Sequence, residues 1–281
     1  MWQTHCIETA RGRFEVFKRG AGPPLCVTHL YSAFDASGDL FADCFTTHRT
    51  VYLINLRGAG GSQAPGEPHD LSMDVAAEDL EAIRAALGYA QWDFAGHSTG
   101  GMLGLLYAET RGGALRSLVA VGAAASRHYA DTPQCIYHPE HPAFQNMQDL
   151  IEALKSDDLD VAERRRLAQE RTKLSLHQPT RYAEYFPPHV TKRICAPRLD
   201  YYAREDFPRF DLRGRLENCK VQALIACGRH DVQCPLPFSR EIADLMPRAR
   251  LALFEESNHY PFLEEPIAFD AAVQRFFRET R

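Results

Sequence analysis

One octapeptide constrains this chain more than any other stretch: Phe94-Ala95-Gly96-His97-Ser98-Thr99-Gly100-Gly101. An apolar run at 92–95 leads into it and a helix-forming stretch at 102–109 leaves it. The pattern is strand, sharp turn, helix, with Ser98 at the tip of a Gly-x-Ser-x-Gly turn. A serine held in such a turn crowds the residues two before and two after it, and glycine has no Cβ to clash there. The turn pushes the hydroxyl beyond the sheet edge. The helix behind it aims its first N–H groups and positive dipole end at the same place.

The rest of the chain supplies the sheet that such a turn requires. Residues 3–8 and 13–18 read as a hairpin, and 25–28, 50–54, 115–121, 221–226 and 250–254 as further short apolar strands. Helical stretches are predicted at 71–87, 239–246 and 266–278; in the first, Ala76, Leu80, Ile83 and Leu87 recur at helical spacing and Gly88 stops the run. Strands alternating with helices predict an α/β fold with a mostly parallel sheet covered on both faces. The alternation breaks at 123–215, which has no buried-strand run but has helix-like stretches at 147–154 and 161–176. The predicted division is a core domain of residues 1–122 and 216–281 and a helical cap, or lid, inserted at 123–215. In parallel sheets ligands sit beyond the carboxyl ends of the strands, so the cap is expected to leave and re-enter at the edge where Ser98 stands.

A serine hydroxyl is a weak nucleophile at neutral pH and needs a base, and the base needs an orienting partner. Two residues of the right kind each follow a predicted strand: Asp231 after 221–226 and His259 after 250–254. His259 is the candidate base and Asp231 the candidate orienter, which would fix the tautomer and stabilise the imidazolium. His230 is expected to point away, and His97 to pack the turn. An oxyanion on the attacked carbonyl needs two donors. One is expected from the Thr99 N–H directly after the serine, the other from Leu30 or Tyr31 in the loop after strand 25–28. His29, Tyr129 and Tyr137 are candidate substrate contacts.

These residues carry a resemblance. Gly96-His97-Ser98-Thr99-Gly100-Gly101, the loop Asn55-x-Arg57-Gly58-x-Gly60-x-Ser62, and Asn258-His259 followed by Glu265-Pro266 together resemble the α/β-hydrolase superfamily, in its proline-iminopeptidase-like branch, over nearly the whole chain. The resemblance implies the α/β-hydrolase fold and a cofactor-free serine hydrolase with a helical cap over the site. His29-Leu30-Tyr31-Ser32 departs from the His-Gly-Gly-Pro-Gly type of loop in that branch. The expected activity is therefore hydrolysis of a small carboxylic ester, lactone or amide, with an aminopeptidase, or a slow-turnover ligand sensor, as the alternatives.

Composition narrows the partners. A net charge of −5 and no basic stripe with interleaved aromatics exclude a nucleic-acid reader, and the run Arg164-Arg165-Arg166 follows Glu163 as a solvated helix face. The glycines at 58–61 lack the Gly-Lys-Ser/Thr ending of a phosphate loop. His138 and His141 are three apart among prolines, which disfavours a helical metal pair, so no metal is expected. There is no apolar run of membrane-spanning length and no visible export signal, and the eight cysteines are scattered without a Cys-x-x-Cys pair. The expectation is a cytoplasmic protein, monomer or homodimer, acting on a small molecule without a cofactor.

Overall fold

The computed structural model describes residues 1–156 and 158–280. Ten strands are present among the described residues: β1 (Gln3–Thr9), β2 (Gly12–Arg19), β3 (Pro24–Val27), β4 (Ser32–Phe34), β5 (Thr50–Ile54), β6 (Trp92–His97), β7 (Leu115–Val121), β8 (Lys192–Ile194), β9 (Gln222–Gly228) and β10 (Ala249–Phe254). Eight of them form one sheet in the order β1-β2-β5-β3-β6-β7-β9-β10. The hairpin β1–β2 and its contact with β5 are antiparallel, and every pair from β5 to β10 is parallel. This is the mostly parallel sheet predicted from the alternation, in the α/β-hydrolase arrangement that the resemblance implies.

The sheet is covered on both faces because its inner strands are apolar on both. All six residues of β6 are buried. Successive side chains on a strand point to opposite faces, and the neighbours segregate accordingly: Phe94 and Leu118 join one apolar cluster, Ala95 and Val119 the other. The helices that cover these faces include α1 (Leu40–Asp43), α2 (Met73–Ala86) and α3 (Thr99–Arg111), the last starting directly after Ser98. Ser72 caps α2 by accepting the Val75 N–H at 3.2 Å.

Between β7 and β9 the chain forms α4 (Phe144–Leu154), α5 (Val161–Lys173), α6 (Tyr182–Tyr185), α7 (Ala196–Tyr201) and α8 (Arg213–Leu216). The outgoing and returning segments meet at their base, where Arg127 donates to the Phe210 carbonyl and Leu212 to the Ala125 carbonyl, each at 2.8 Å. The segment also contains β8, whose three residues are all exposed. It pairs antiparallel with β4, in a stretch of the sequence read as helical and loop. A three-residue strand with no buried face leaves no apolar run to detect. After β9 come α9 (Leu236–Leu245), α10 (Pro261–Glu264) and α11 (Pro266–Glu279). No helix among the described residues is long and apolar enough to cross a membrane.

Candidate active site

Ser98 sits between β6 and α3 with φ 56° and ψ −125°, and it alone among the described non-glycine residues has a positive φ. The conformation survives because its neighbours have no side chain to resist it. A Cβ on Gly96 would overlap the Gly100 carbonyl, and one on Gly100 would overlap the Thr28 carbonyl. The Ser98 N–H donates to Val121 O at 2.8 Å, which ties the turn to the end of β7. Its side chain is half-buried and its hydroxyl has no hydrogen-bond partner among the described residues.

Asp231 and His259 come together at the same strand ends. His259 Nδ1 lies 3.1 and 3.0 Å from the two Asp231 oxygens, and the two side chains are 2% and 0% exposed. Asp231 Oδ1 also accepts the Gln233 and Cys234 N–H groups, both at 2.8 Å, which fixes the carboxylate plane. The loop bearing His259 is held by main-chain contacts: its N–H donates to Ser175 O at 3.2 Å, and Glu264 accepts the Asn258 N–H at 2.8 Å. The Ser98 turn, or elbow, is locked to this loop, since His97 Nε2 lies 2.8 Å from the His259 carbonyl oxygen and must therefore carry the proton. His230 turns outward and stacks on His177 with ring centroids 4.2 Å apart.

The loop after β3 closes the other side. His29 Nδ1 lies 2.9 Å from Ser32 Oγ and its Nε2 lies 3.2 Å from Thr99 Oγ1. Burial, with help from Lys192 and His259, pushes the His29 imidazole well below the usual range and keeps it neutral. Thr99 is the first residue of α3, so its N–H has no acceptor within the helix. The Leu30 and Tyr31 N–H groups likewise have no partner among the described residues.

Tyr129 and Tyr137 both join an aromatic cluster reaching this loop. Tyr129 is buried and packs on Phe207 at 5.9 Å, while Tyr31 and Tyr202 lie 6.0 Å apart. Tyr137 donates its hydroxyl to Gln233 at 2.9 Å, and Gln233 donates to Ser175 Oγ at 2.9 Å. Burial raises the phenols of Tyr31, Tyr137 and Tyr260, the last to about 12, while the Arg171 guanidinium opposes the shift in all three. Arg171 lies one turn before Ser175, and its guanidinium has no hydrogen bond or ion pair among the described residues.

Several contributors had no signal in the sequence. Gly122, with φ 55°, lies against the dyad: a Cβ there would stand 3.0 Å from both Asp231 Oδ2 and His259 Nδ1. Ser175, Gln233, Arg171 and Tyr260 belong to no motif. His138 and His141 each use Nδ1 to accept a nearby main-chain N–H, from Glu140 at 3.2 Å and Ala143 at 3.1 Å. The glycine loop is filled from within, with Gly61 N–H donating to Glu15 at 2.8 Å.

A family model described as alpha/beta hydrolase fold matches residues 30–266. A proline iminopeptidase of Heyndrickxia coagulans is 25% identical, with 98% of this chain and 99% of that protein covered. A 2-hydroxymuconate semialdehyde hydrolase of Pseudomonas putida is 26% identical, with 97% and 93% covered. The solved structure of an alpha/beta fold family hydrolase from Bacillus anthracis str. Sterne is 42% identical with a TM-score of 0.95, covering 98% of this chain and 99% of that one. With this match spanning most of its length, the chain belongs to the α/β-hydrolase fold family, and it is an enzyme, a serine hydrolase of esterase or aminopeptidase type.

Proposed function

We propose that this protein hydrolyses a small carboxylic ester or lactone through an acyl-enzyme on Ser98. The observation that carries the reading is the buried Asp231–His259 pair on loops at the same sheet edge as a serine held in a strained turn. In the acylation step Ser98 Oγ attacks the substrate carbonyl carbon and its proton passes to His259 Nε2. Asp231 keeps Nδ1–H as the other tautomer and stabilises the imidazolium. The oxyanion accepts from the Thr99 N–H and from one N–H of the Leu30–Tyr31 segment. Collapse expels the alcohol, which takes the proton from His259. Water then repeats the sequence on the acyl group, returning the proton to Ser98.

Charge favours esters over aminopeptide substrates. An aminopeptidase needs carboxylates to hold a free amine. The cap glutamates are engaged elsewhere: Glu163 with Arg166, Glu170 with Lys173, Glu184 with Arg181 and Glu205 with Arg209, while Glu140 is exposed. The cation of Arg171 acts on all three of Tyr31, Tyr137 and Tyr260, whereas the carboxylates Asp231 and Glu264 act on Tyr260, so at Tyr31 and Tyr137 the nearby full charge is one that repels an ammonium group. Residues 123–215 act as the lid that excludes water from the acyl-enzyme and shapes its pocket with Tyr129 and Tyr137. Eight free cysteines, six of them buried, suit a reducing cytoplasm.

The test compares an aminoacyl p-nitrophenyl ester with its N-acetylated form, alongside fluorophosphonate labelling of Ser98. Equal or faster hydrolysis of the acetylated ester, with labelling lost in Ser98→Ala, supports the esterase reading. Activity confined to the free amine supports the aminopeptidase reading. Absence of labelling in wild type supports a sensor on a hydrolase scaffold.

A further inference from the structure

Arg198 is a cap residue on α7 and is 1% exposed. A buried guanidinium carries a desolvation penalty unless it is fully engaged. Here no carboxylate among the described residues pairs with it. Its Nε donates to the Leu30 carbonyl, its Nη1 donates to the Arg57 carbonyl at 2.9 Å, and its Nη2 has no partner among the described residues. Burial lowers its pKa to about 10, so it remains a cation at neutral pH. Three residues earlier, the Cys195 N–H donates to the Tyr31 carbonyl at 2.8 Å and the Cys195 thiol donates to the Gly58 carbonyl at 3.2 Å. The short β4–β8 ladder continues the same contact from Ser32 to Phe34. The returning end of the insertion therefore holds two successive carbonyls of the loop beside Ser98.

We infer that Arg198 is a positioning residue for the oxyanion hole, gripping the Leu30 carbonyl so that the Tyr31 N–H of the same peptide faces the acyl oxygen on Ser98. This rests on the esterase reading above and resolves which of the two N–H groups is the second donor. In a trans peptide the C=O and N–H point to opposite sides, and there are no cis peptides among the described residues. With its carbonyl turned to Arg198, the Leu30–Tyr31 peptide turns its N–H the other way. The loop lies against the Ser98 turn, where a Cβ on Gly100 would meet the Thr28 carbonyl and His29 Cα and where Thr99 Oγ1 meets His29 Nε2 at 3.2 Å, so the N–H turned away from Arg198 is the one free to face that turn. The Tyr31 N–H has no acceptor among the described residues. A cation on the carbonyl oxygen also polarises the peptide and strengthens its N–H as a donor. The oxyanion hole of this protein is thus completed by docking of the insertion, not by the core alone.

The experiment measures kcat and KM for p-nitrophenyl acetate, and Ki for a trifluoromethyl ketone, in wild type, Arg198→Met and Arg198→Lys. Loss of a single oxyanion donor lowers kcat by about 10²–10³, and a donor that is present but misaimed is expected to cost about 10- to 100-fold. Arg198→Met is expected to show that fall in kcat with KM within threefold of wild type, and Ki for the ketone, which forms an oxyanion adduct, weakened in parallel. Arg198→Lys, whose single ammonium cannot span both carbonyls, is expected to fall between the two. A folded Arg198→Met with wild-type kcat, a loss confined to KM, or an unchanged ketone Ki overturns the inference. If Arg198→Met does not fold by circular dichroism, Arg198→Lys decides: a parallel loss in kcat and ketone affinity supports the role, and wild-type values of both refute it. Failure of the esterase reading appears separately, as wild-type protein that fluorophosphonate does not label, and the assignment of Arg198 falls with it.

Discussion

The imidazole of His97 lies 4.5 Å from that of His259 and donates Nε2–H to the His259 main-chain oxygen at 2.8 Å. The residue before Ser98 therefore fixes the loop that carries His259, and it does so as a neutral ring. Burial, then the charges of His259 and Lys192, depress the His97 pKa well below the usual value.

The sign of the resulting pH dependence follows from that depression. Below about pH 6.5 the unfolded chain protonates at His97 and His29 while the folded protein does not. Their contribution to stability is present above that pH and is lost as the pH falls through it. The melting temperature is expected to drop between pH 7.5 and pH 5. His97→Gln should flatten part of that drop, and a variant with an unchanged profile would remove His97 as a source. Its kcat should also fall about tenfold at constant KM as the His259 loop loosens.

Asp206 gives the opposite sign. It accepts the Met73 N–H at 3.0 Å at the start of α2, and burial, reinforced by Asp74, raises its pKa to about 6. A raised carboxyl favours folding at low pH and loses that advantage as pH rises through 6. Asp206→Asn keeps the acceptor and removes the charge. The variant is expected to melt higher than wild type at pH 8 and to match it at pH 4.5; equal melting at both would refute the assignment.

Strain at Ser98 separates two substitutions that both remove the hydroxyl. Ser98→Ala and Ser98→Gly should each reduce turnover by about a millionfold, as loss of a triad nucleophile does. Only glycine adopts φ 56° with ψ −125° without strain. Ser98→Gly is expected to be more stable than Ser98→Ala by about 1 kcal/mol in urea unfolding. Equal stability would mean the turn stores no strain.

Gly122→Ala tests the clearance beside the dyad. Its Cβ would stand 3.0 Å from Asp231 Oδ2 and His259 Nδ1, at a residue already in the left-handed region. The expected result is a folded but destabilised protein with kcat lowered about 10²-fold or more, because the tautomer-fixing contact is disturbed. Gly214→Ala, with nothing within 4 Å of its Cβ, serves as the control and should leave activity unchanged. Wild-type kcat in Gly122→Ala would show that the dyad tolerates displacement.

What the amino-acid sequence determined by itself is local or periodic. The elbow is legible because its sterics act within five residues, Gly96 to Gly100. The sheet is legible because buried strands such as β6 and β7 are apolar on both faces, and that pattern needs no partner to be seen. Asp231 and His259 could be placed at one edge because parallel strands all end there. Tertiary structure alone decided the rest. Arg198 reaches Leu30 across 168 residues and Tyr137 reaches Gln233 across 96. Such contacts depend on how the insertion docks, which no local period encodes. The pairing of β4 with β8 was hidden for the same reason: two strands of only three residues, one of them fully exposed, acquire their conformation from each other. The need for glycine at 122 exists only once the Asp231–His259 pair, more than a hundred residues further on, has been folded against it.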